Sequence, residues 1–110
     1  MTKYFVTWKI AMRLKEKGFH YDKSKKLDRV LISNVFFLPP IYRVLEWMRE
    51  EKKMYIIVEI ADSGWYYTIY PNLRWENGKL KSDRYIMSFD KKESYEQAAL
   101  AGIKHVLNLI

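Results

Sequence analysis

The sequence predicts an α+β fold in which three helices and a small antiparallel β-sheet form one domain over residues 1–110. Within 55–70, two runs rich in β-branched and aromatic residues flank Asp62-Ser63-Gly64, which indicates a β-hairpin at the centre of the sheet. Three other segments carry apolar residues at helical spacing. The last of them contains small residues, so we expect this C-terminal helix to pack on the sheet.

The hairpin defines two faces of the predicted sheet. A turn with an even number of residues places apolar side chains of both strands on one face, namely Ile56, Val58, Ile60, Trp65, Tyr67 and Ile69. The opposite face then carries Tyr55, Ile57, Glu59, Tyr66, Thr68 and Tyr70. A slip of one residue would mix these sets, so the cleaner segregation favours the even turn and predicts burial of the first face.

Composition limits the class of protein. Hydrophobic residues make up 49% of the chain and aromatic residues 16%, which argues against disorder. The chain has no cysteine, which excludes disulfides and thiolate metal sites. It starts without a signal-peptide pattern, and no stretch has the length and apolarity of a membrane span. We expect a cytoplasmic protein without a cofactor.

The first two helices are predicted over 7–17 and from Pro40 onward. The first has apolar positions at Trp8, Ile10, Ala11, Met12 and Leu14. Gly18 follows where a helix-terminating glycine is expected, with the apolar Phe19 after it. The second carries a buried stripe of Ile41, Val44, Leu45 and Met48.

Further strands and the last helix complete the prediction. The β-prone segment 30–38 is one strand or a short strand with an extended continuation, and it is a candidate fourth strand of the sheet. Asn77-Gly78 indicates a second tight turn, and 84–89 a third strand. Ser94 and Gln97 form a capping box that begins the last helix. Its expected buried face consists of Tyr95, Ala98, Ala99, Gly102, Val106 and Leu109.

Three stretches, 7–19, 41–52 and 94–110, together resemble a family of short uncharacterised proteins from gut Bacteroides genomes and their phages or mobile elements. The shared signatures are the Lys17-Gly18-Phe19 helix stop, a Tyr/Trp-rich hairpin after the second helix, and the Ser94-Tyr95-Glu96 cap. The resemblance implies a common fold and carries over no catalytic residue. The basic segment 23–29 departs from the family pattern.

The net charge is +7, and its densest positive stretch lies between residues 13 and 29. A basic stretch of this kind is either an ordinary solvated surface or a nucleic-acid site. In the second case the phosphate contacts would come from Arg13, Lys15, Lys17, Lys23, Lys25, Lys26 and Arg29.

The chain shows no motif for catalysis. It has neither a nucleophile elbow nor a glycine-rich phosphate loop, and His20 and His105 lack partners at metal-ligand spacing. If Glu59 were buried, its pKa would be raised and it would be a candidate acid or base. We expect instead that it faces water or pairs with a residue on the neighbouring strand. The sequence therefore predicts a protein that is not an enzyme and binds no metal.

The leading functional interpretation is an interaction module that binds another macromolecule. Aromatic residues suggest an alternative, in which Tyr55, Tyr66, Tyr70 and Trp75 stack on a small molecule or on nucleobases, unless the tyrosines belong to the core. Three further aromatic residues, Phe36, Phe37 and Trp47, exceed what one buried stripe needs and suggest a homodimer.

Overall fold

The protein is represented by a computed structural model that describes residues 4–19, 31–33, 36–88 and 90–110. The helices in these residues are α1 (Trp8–Glu16), α2 (Ile41–Glu51) and α3 (Tyr95–Leu109). The strands are β1 (Leu31–Ser33), β2 (Phe36–Leu38), β3 (Tyr55–Ala61), β4 (Gly64–Tyr70), β5 (Arg74–Glu76), β6 (Lys79–Lys81) and β7 (Ile86–Met87). The predicted α+β class is confirmed.

The central sheet is antiparallel with strand order β3-β4-β7. Ile56 pairs with Ile69, and Val58 with Tyr67, so the turn at 62–63 has two residues, and the prediction of an even number is confirmed. This register assigns the two predicted sets of side chains to opposite faces, because neighbouring side chains on a strand alternate. The third strand is shorter than the predicted 84–89, and Phe89 lies outside the described residues.

Helix α3 packs on the face that carries Ile56 and Ile69, both of which are buried. Burial of this face is confirmed near Ile56, but the expectation for Ile60 was wrong, since 65% of its surface is exposed. Ile60 lies next to the turn on an edge strand, and its cross-strand neighbour Trp65 contacts Tyr95 at the start of α3. Ile60 therefore lies beyond the cover of the helix.

Helix α1 ends as predicted, but its buried side differs from the prediction. Phe19 N–H donates to Leu14 O and Gly18 N–H to Lys15 O, the two bonds of a Schellman motif. Ile10 and Leu14 are buried, whereas Trp8 and Met12 are exposed. Two residues correspond to about 200° around a helix, so Trp8 and Met12 lie opposite Ile10 and Leu14.

Helix α2 supplies the predicted stripe to the core. Ile41, Val44 and Met48 are buried and Leu45 is half-buried. The helix start is tied to the N-terminal segment because Ile41 N–H donates to Tyr4 O at 2.9 Å. The shared core contains apolar residues from all three helices and from the central sheet.

The described residues of the segment 30–38, namely 31–33 and 36–38, do not add a fourth strand to the central sheet. In its described part, β1 and β2 pair with each other as a separate antiparallel hairpin. The polar Ser33 interrupts the apolar run and pairs with Phe36 at the turn end of the two strands. Strands β5 and β6 form a third unit, with Asn77-Gly78 as the turn between them.

Helix α3 begins at the predicted cap, since Ser94 Oγ accepts from Gln97 N–H at 3.1 Å. Gln97 Oε1 accepts from the backbone N–H of Glu93, one residue before the usual capping-box partner. Ala98, Ala99, Gly102, Ile103, Val106 and Leu107 are buried. The predicted outer members of the face, Tyr95 and Leu109, are exposed because they lie at the two ends of the helix.

Candidate functional site

An open groove of about 540 Å³ lies between α1 and α3. Four of its lining residues are basic, and no described residue that lines it carries a carboxylate. The lining consists of Thr7, Lys9, Ile10, Arg13, Lys92, Gln97, Leu100, Ala101 and Lys104. This concentration of one sign of charge in a concave surface makes the groove a candidate site for an anionic partner.

One edge of α1 provides the first rim of the groove. Lys9 and Arg13 are four residues apart, so they lie on the same side of the helix. Arg13 Nη2 donates to Asn108 Oδ1 at 2.7 Å, and Lys17 Nζ donates to Ile110 O at 2.7 Å. These bonds tie the C-terminal parts of α1 and α3 together beside the groove and hold its rim in place.

The opposite rim combines α3 with the segment that precedes it. Lys104 lies on α3, and Lys92 lies just before the helix. The backbone of Lys92 exchanges two hydrogen bonds with Trp65, at 2.8 and 3.0 Å. Lys92 is thus fixed to the end of β4, although it is far from that strand in sequence.

The floor of the groove is aliphatic. Ile10 is buried, and Leu100 and Ala101 are half-buried. A ligand that combines negative charge with an apolar group matches this arrangement, because the cations attract the charge and the floor accepts the apolar surface.

A smaller cleft of about 390 Å³ adjoins the groove, and the two share Ala101 and Lys104. Tyr67, His105 and Asn108 complete its lining. The Tyr67 hydroxyl lies 2.8 Å from His105 Nδ1. Burial, and secondly the negative charge of Asp90, raise the pKa of Tyr67. The phenol is therefore protonated at neutral pH, and its O–H can donate a hydrogen bond to the imidazole.

The basic residues predicted as nucleic-acid contacts do not form one described cluster. Arg13 lines the groove, Lys15 is exposed elsewhere on α1, and Lys17 is bound to Ile110 O. The remaining four predicted contacts lie outside the described residues, namely Lys23, Lys25, Lys26 and Arg29.

Sequence reasoning missed three of the four cations of the groove, Lys9, Lys92 and Lys104. The only feature of the sequence that could have indicated this cluster is the spacing of four residues between Lys9 and Arg13, which puts both on one side of α1. The other two become neighbours through the packing of α3 beside α1.

The three tyrosine candidates lie on the face of the central sheet opposite α3. Tyr55, Tyr66 and Tyr70 are half-buried there. The Tyr55 and Tyr70 ring centres are 6.5 Å apart, and Tyr85, which was not predicted, lies 5.9 Å from Tyr70. Trp75 belongs to the separate β5–β6 hairpin and has 74% of its surface exposed. Tyr55, Tyr70 and Tyr85 thus form a tyrosine row, whereas Trp75 belongs to a different hairpin.

The two titratable residues singled out in the sequence differ in environment. Glu59 is exposed beside Tyr66 on the neighbouring strand, which confirms the expectation that it faces water. His105 is half-buried and bonded to Tyr67. Within the described ranges, no group of three or more His, Asp or Glu side chains is arranged to hold a metal ion.

Helices of the described residues are all too short or too polar to cross a membrane. No family model, curated protein or solved structure matches the chain. The resemblance to the Bacteroides family therefore stays a prediction.

Proposed function

We propose that this chain is a non-enzymatic interaction module that binds an acidic segment of a partner protein in the groove between α1 and α3. The proposal depends on one observation. Four cations from three parts of the chain surround an aliphatic floor, and no described lining residue neutralises them with a carboxylate.

The chemistry of the floor favours a protein segment over a nucleic acid. Nucleobases are usually held by stacking on aromatic rings, but Ile10, Leu100 and Ala101 offer only aliphatic surface. A leucine-like side chain fits such a floor, and aspartate or glutamate on either side would meet the cationic rims. The positive rims would also speed the encounter with an acidic partner.

The expected affinity is modest. Each exposed ion pair at the rim contributes about 0.2–1 kcal/mol. Burial of one apolar side chain on the floor adds about 1.5–3 kcal/mol before the costs of association are subtracted. These magnitudes correspond to transient binding, with a Kd of about 10 μM or weaker.

The first experiment measures the fluorescence anisotropy of a short labelled peptide of alternating aspartate and leucine. The test variant is Lys9→Gln/Lys104→Gln, which removes one cation from each rim. Neither lysine makes a hydrogen bond or ion pair within the described part of the chain, so their replacement should leave stability nearly unchanged. We expect binding to weaken by about fivefold to tenfold, because two rim pairs are lost.

The matched control is Lys15→Gln/Lys79→Gln, which removes the same charge from exposed positions outside the groove. It should change the affinity by less than about twofold, since exposed charges distant from a ligand are screened. Equal weakening by both double variants would contradict a specific site and leave only nonspecific attraction to the net charge.

A nucleic-acid function is the alternative outcome of the same assay. An oligothymidine of equal charge should bind more weakly than the peptide. If it binds more tightly, with a steep loss of affinity as salt rises, the basic region from Arg13 to Arg29 becomes the better candidate. Replacement of Lys23, Lys25 and Lys26 with Gln would then weaken binding evenly across sequences.

Three further expectations stay proposals. The tyrosine row of Tyr55, Tyr70 and Tyr85, with the Arg49 guanidinium 5.9 Å from the Tyr55 ring centre, supports a small-molecule sensor as a second candidate. The homodimer is tested by sedimentation analysis, in which a single monomeric species across the micromolar range would exclude it. We also propose a cytoplasmic location.

A further inference from the structure

Besides Tyr67, whose hydroxyl is bonded to His105, the cleft beside the groove contains three side chains that can donate hydrogen bonds, Lys104, His105 and Asn108. None of the described residues that line it is acidic, although the charge of Asp90 is close enough to raise the pKa of Tyr67. Hydrogen bonds to Tyr67 and Arg13 orient two of these donors, His105 and Asn108. Their orientation determines what the cleft can bind.

We assign Nε2 as the donor atom of His105 on the basis of its contact with Tyr67. Tyr67 occupies Nδ1 at 2.8 Å, and the protonated phenol can donate to it. A neutral imidazole that accepts at Nδ1 carries its proton on Nε2, and a charged imidazole carries one there as well. Nε2 has no hydrogen-bond partner within the described residues, so in this arrangement its N–H is available to a ligand.

The donor of Asn108 is oriented by Arg13. A guanidinium has only donors, so the Asn108 atom 2.7 Å from Arg13 Nη2 is the carbonyl oxygen. The amide NH2 group of this exposed side chain then has no hydrogen-bond partner among the described residues. Lys104 lines both the groove and the cleft, and its ammonium group can donate to a ligand in either.

We propose that this cleft is a phosphate subsite that takes a phosphorylated side chain of the segment bound in the groove. The inference rests on the proposed function, because the cleft is continuous with the groove through Ala101 and Lys104. A phosphomonoester has three terminal oxygens and a charge near −2 at neutral pH. Three donors match those oxygens in number, and the Lys104 ammonium offsets part of the charge.

A phosphorylated protein segment fits better than a nucleic-acid backbone. A bridging phosphodiester carries a single negative charge, so the Lys104 ammonium and the other donors gain less from it than from a phosphomonoester with a charge near −2. The aliphatic floor next to the cleft also provides no ring on which an adjacent base could stack.

The test compares two labelled peptides that differ only at one central residue, serine in one and phosphoserine in the other, within the aspartate–leucine sequence. The phosphopeptide should bind about tenfold more tightly, as one to three charge-assisted hydrogen bonds would produce. Its addition should also shift the NMR resonances of His105 Nε2 and of the Asn108 side-chain amide.

The variant Asn108→Asp is the sharpest substitution. It keeps an oxygen for Arg13 but replaces the free NH2 with a second carboxylate oxygen. We expect it to remove most of the preference for the phosphopeptide. Asn77→Asp adds the same charge in the distant β5–β6 turn and should keep that preference.

A second measurement examines Tyr67 as a positioning residue. Long-range nitrogen–proton correlation spectra should show the Nε2–H tautomer of His105 in the native protein and a mixture of tautomers in Tyr67→Phe. A native protein with the proton on Nδ1 would overturn the proposed donor arrangement.

The two proposals fail in different ways. If both peptides bind equally and Lys9→Gln/Lys104→Gln weakens both, the phosphate subsite is excluded and the proposed function stands. If neither peptide binds, both are excluded. If inorganic phosphate alone shifts the His105 and Asn108 resonances and the peptides show no preference, the cleft takes a free phosphate, which overturns its assignment to a phosphorylated segment.

Discussion

Gly102 of α3 lies directly against Ile56 of β3: a Cβ atom at residue 102 would be 3.0 Å from Ile56 Cγ2. The same Cβ would be 3.3 Å from Cγ of the Tyr67 ring. A glycine inside a helix costs about 1 kcal/mol relative to alanine, and the close approach of α3 to the sheet is the packing reason for it. Helix α3, which forms one wall of the groove, can lie this close to the sheet because Gly102 has no side chain.

Gly102→Ala should destabilise the protein by about 1 kcal/mol, as measured by urea unfolding. Crowding a packed core costs about 1–3 kcal/mol, which exceeds the gain in helix propensity. Ile56 cannot yield easily, because Cγ2 is attached to the Cβ atom of a buried, β-branched side chain.

An Ile56→Leu background serves as the control for this prediction, since leucine has no Cγ2 atom at the crowded position. There Gly102→Ala should become neutral or stabilising. An equal effect of Gly102→Ala in both backgrounds would show that the contact with Ile56 is not the cause.

Gly18→Ala should lower the free energy of unfolding by about 1–2 kcal/mol, the usual cost of placing a side chain in the left-handed region. Gly18 has φ = 100° and ends α1 through the bond from its N–H to Lys15 O. Thermal unfolding followed by circular dichroism provides the measurement. Lys15→Ala, at an exposed position of the same helix, should change stability by no more than about 0.5 kcal/mol.

Ser94→Ala should cost about 1 kcal/mol of stability, because it removes the oxygen that accepts from Gln97 N–H. Ser94→Asp keeps an acceptor at the start of α3 and adds a favourable charge there, so its stability should match the native protein within about 0.5 kcal/mol. Chemical denaturation of both variants decides the matter. A loss in Ser94→Asp as large as in Ser94→Ala would refute the capping role.

Tyr67 should make the protein less stable at alkaline pH. The pKa of Tyr67 is raised in the folded state, mainly by burial. As the pH rises past about 10, the unfolded chain therefore releases the phenolic proton before the folded chain does. The unfolded state then binds fewer protons, and the free energy of unfolding falls as pH increases. Below the pKa of the unfolded chain this contribution is constant.

The measurement is the free energy of unfolding between about pH 9 and pH 11, on either side of the ordinary tyrosine pKa. Tyr67→Phe removes the titrating group, so its stability should fall less steeply over this interval, despite the constant loss of the bond to His105. Parallel curves for the two proteins would argue against a raised pKa in the folded state.

Local chemistry made much of the fold predictable. The register of β3 and β4 follows from the alternation of side chains and a turn of two residues, and both can be identified within 55–70. The ends of α1 and α3 depend on Gly18 and Ser94, which act within one turn of helix. The stripe of α2 follows from its helical spacing.

Long-range packing decided what the sequence pattern left open. Trp8, Met12 and Ile60 are apolar and correctly spaced, but they are exposed because no other described element covers them. Periodicity identifies the residues that share a side of a helix or strand, whereas burial also requires a neighbouring element to lie on that side.

The sequence by itself determined the α+β class, the hairpin register and the positions where the helices begin and end, because these depend on interactions between residues close together in the chain. Only the tertiary structure brought Lys9, Arg13, Lys92 and Lys104 to one groove and joined Tyr67 to His105. These residues come from distant parts of the chain, and the close contact between Gly102 and Ile56 sets the distance at which α3 lies from the sheet. The candidate site follows from that packing and could not be found from spacing along the chain.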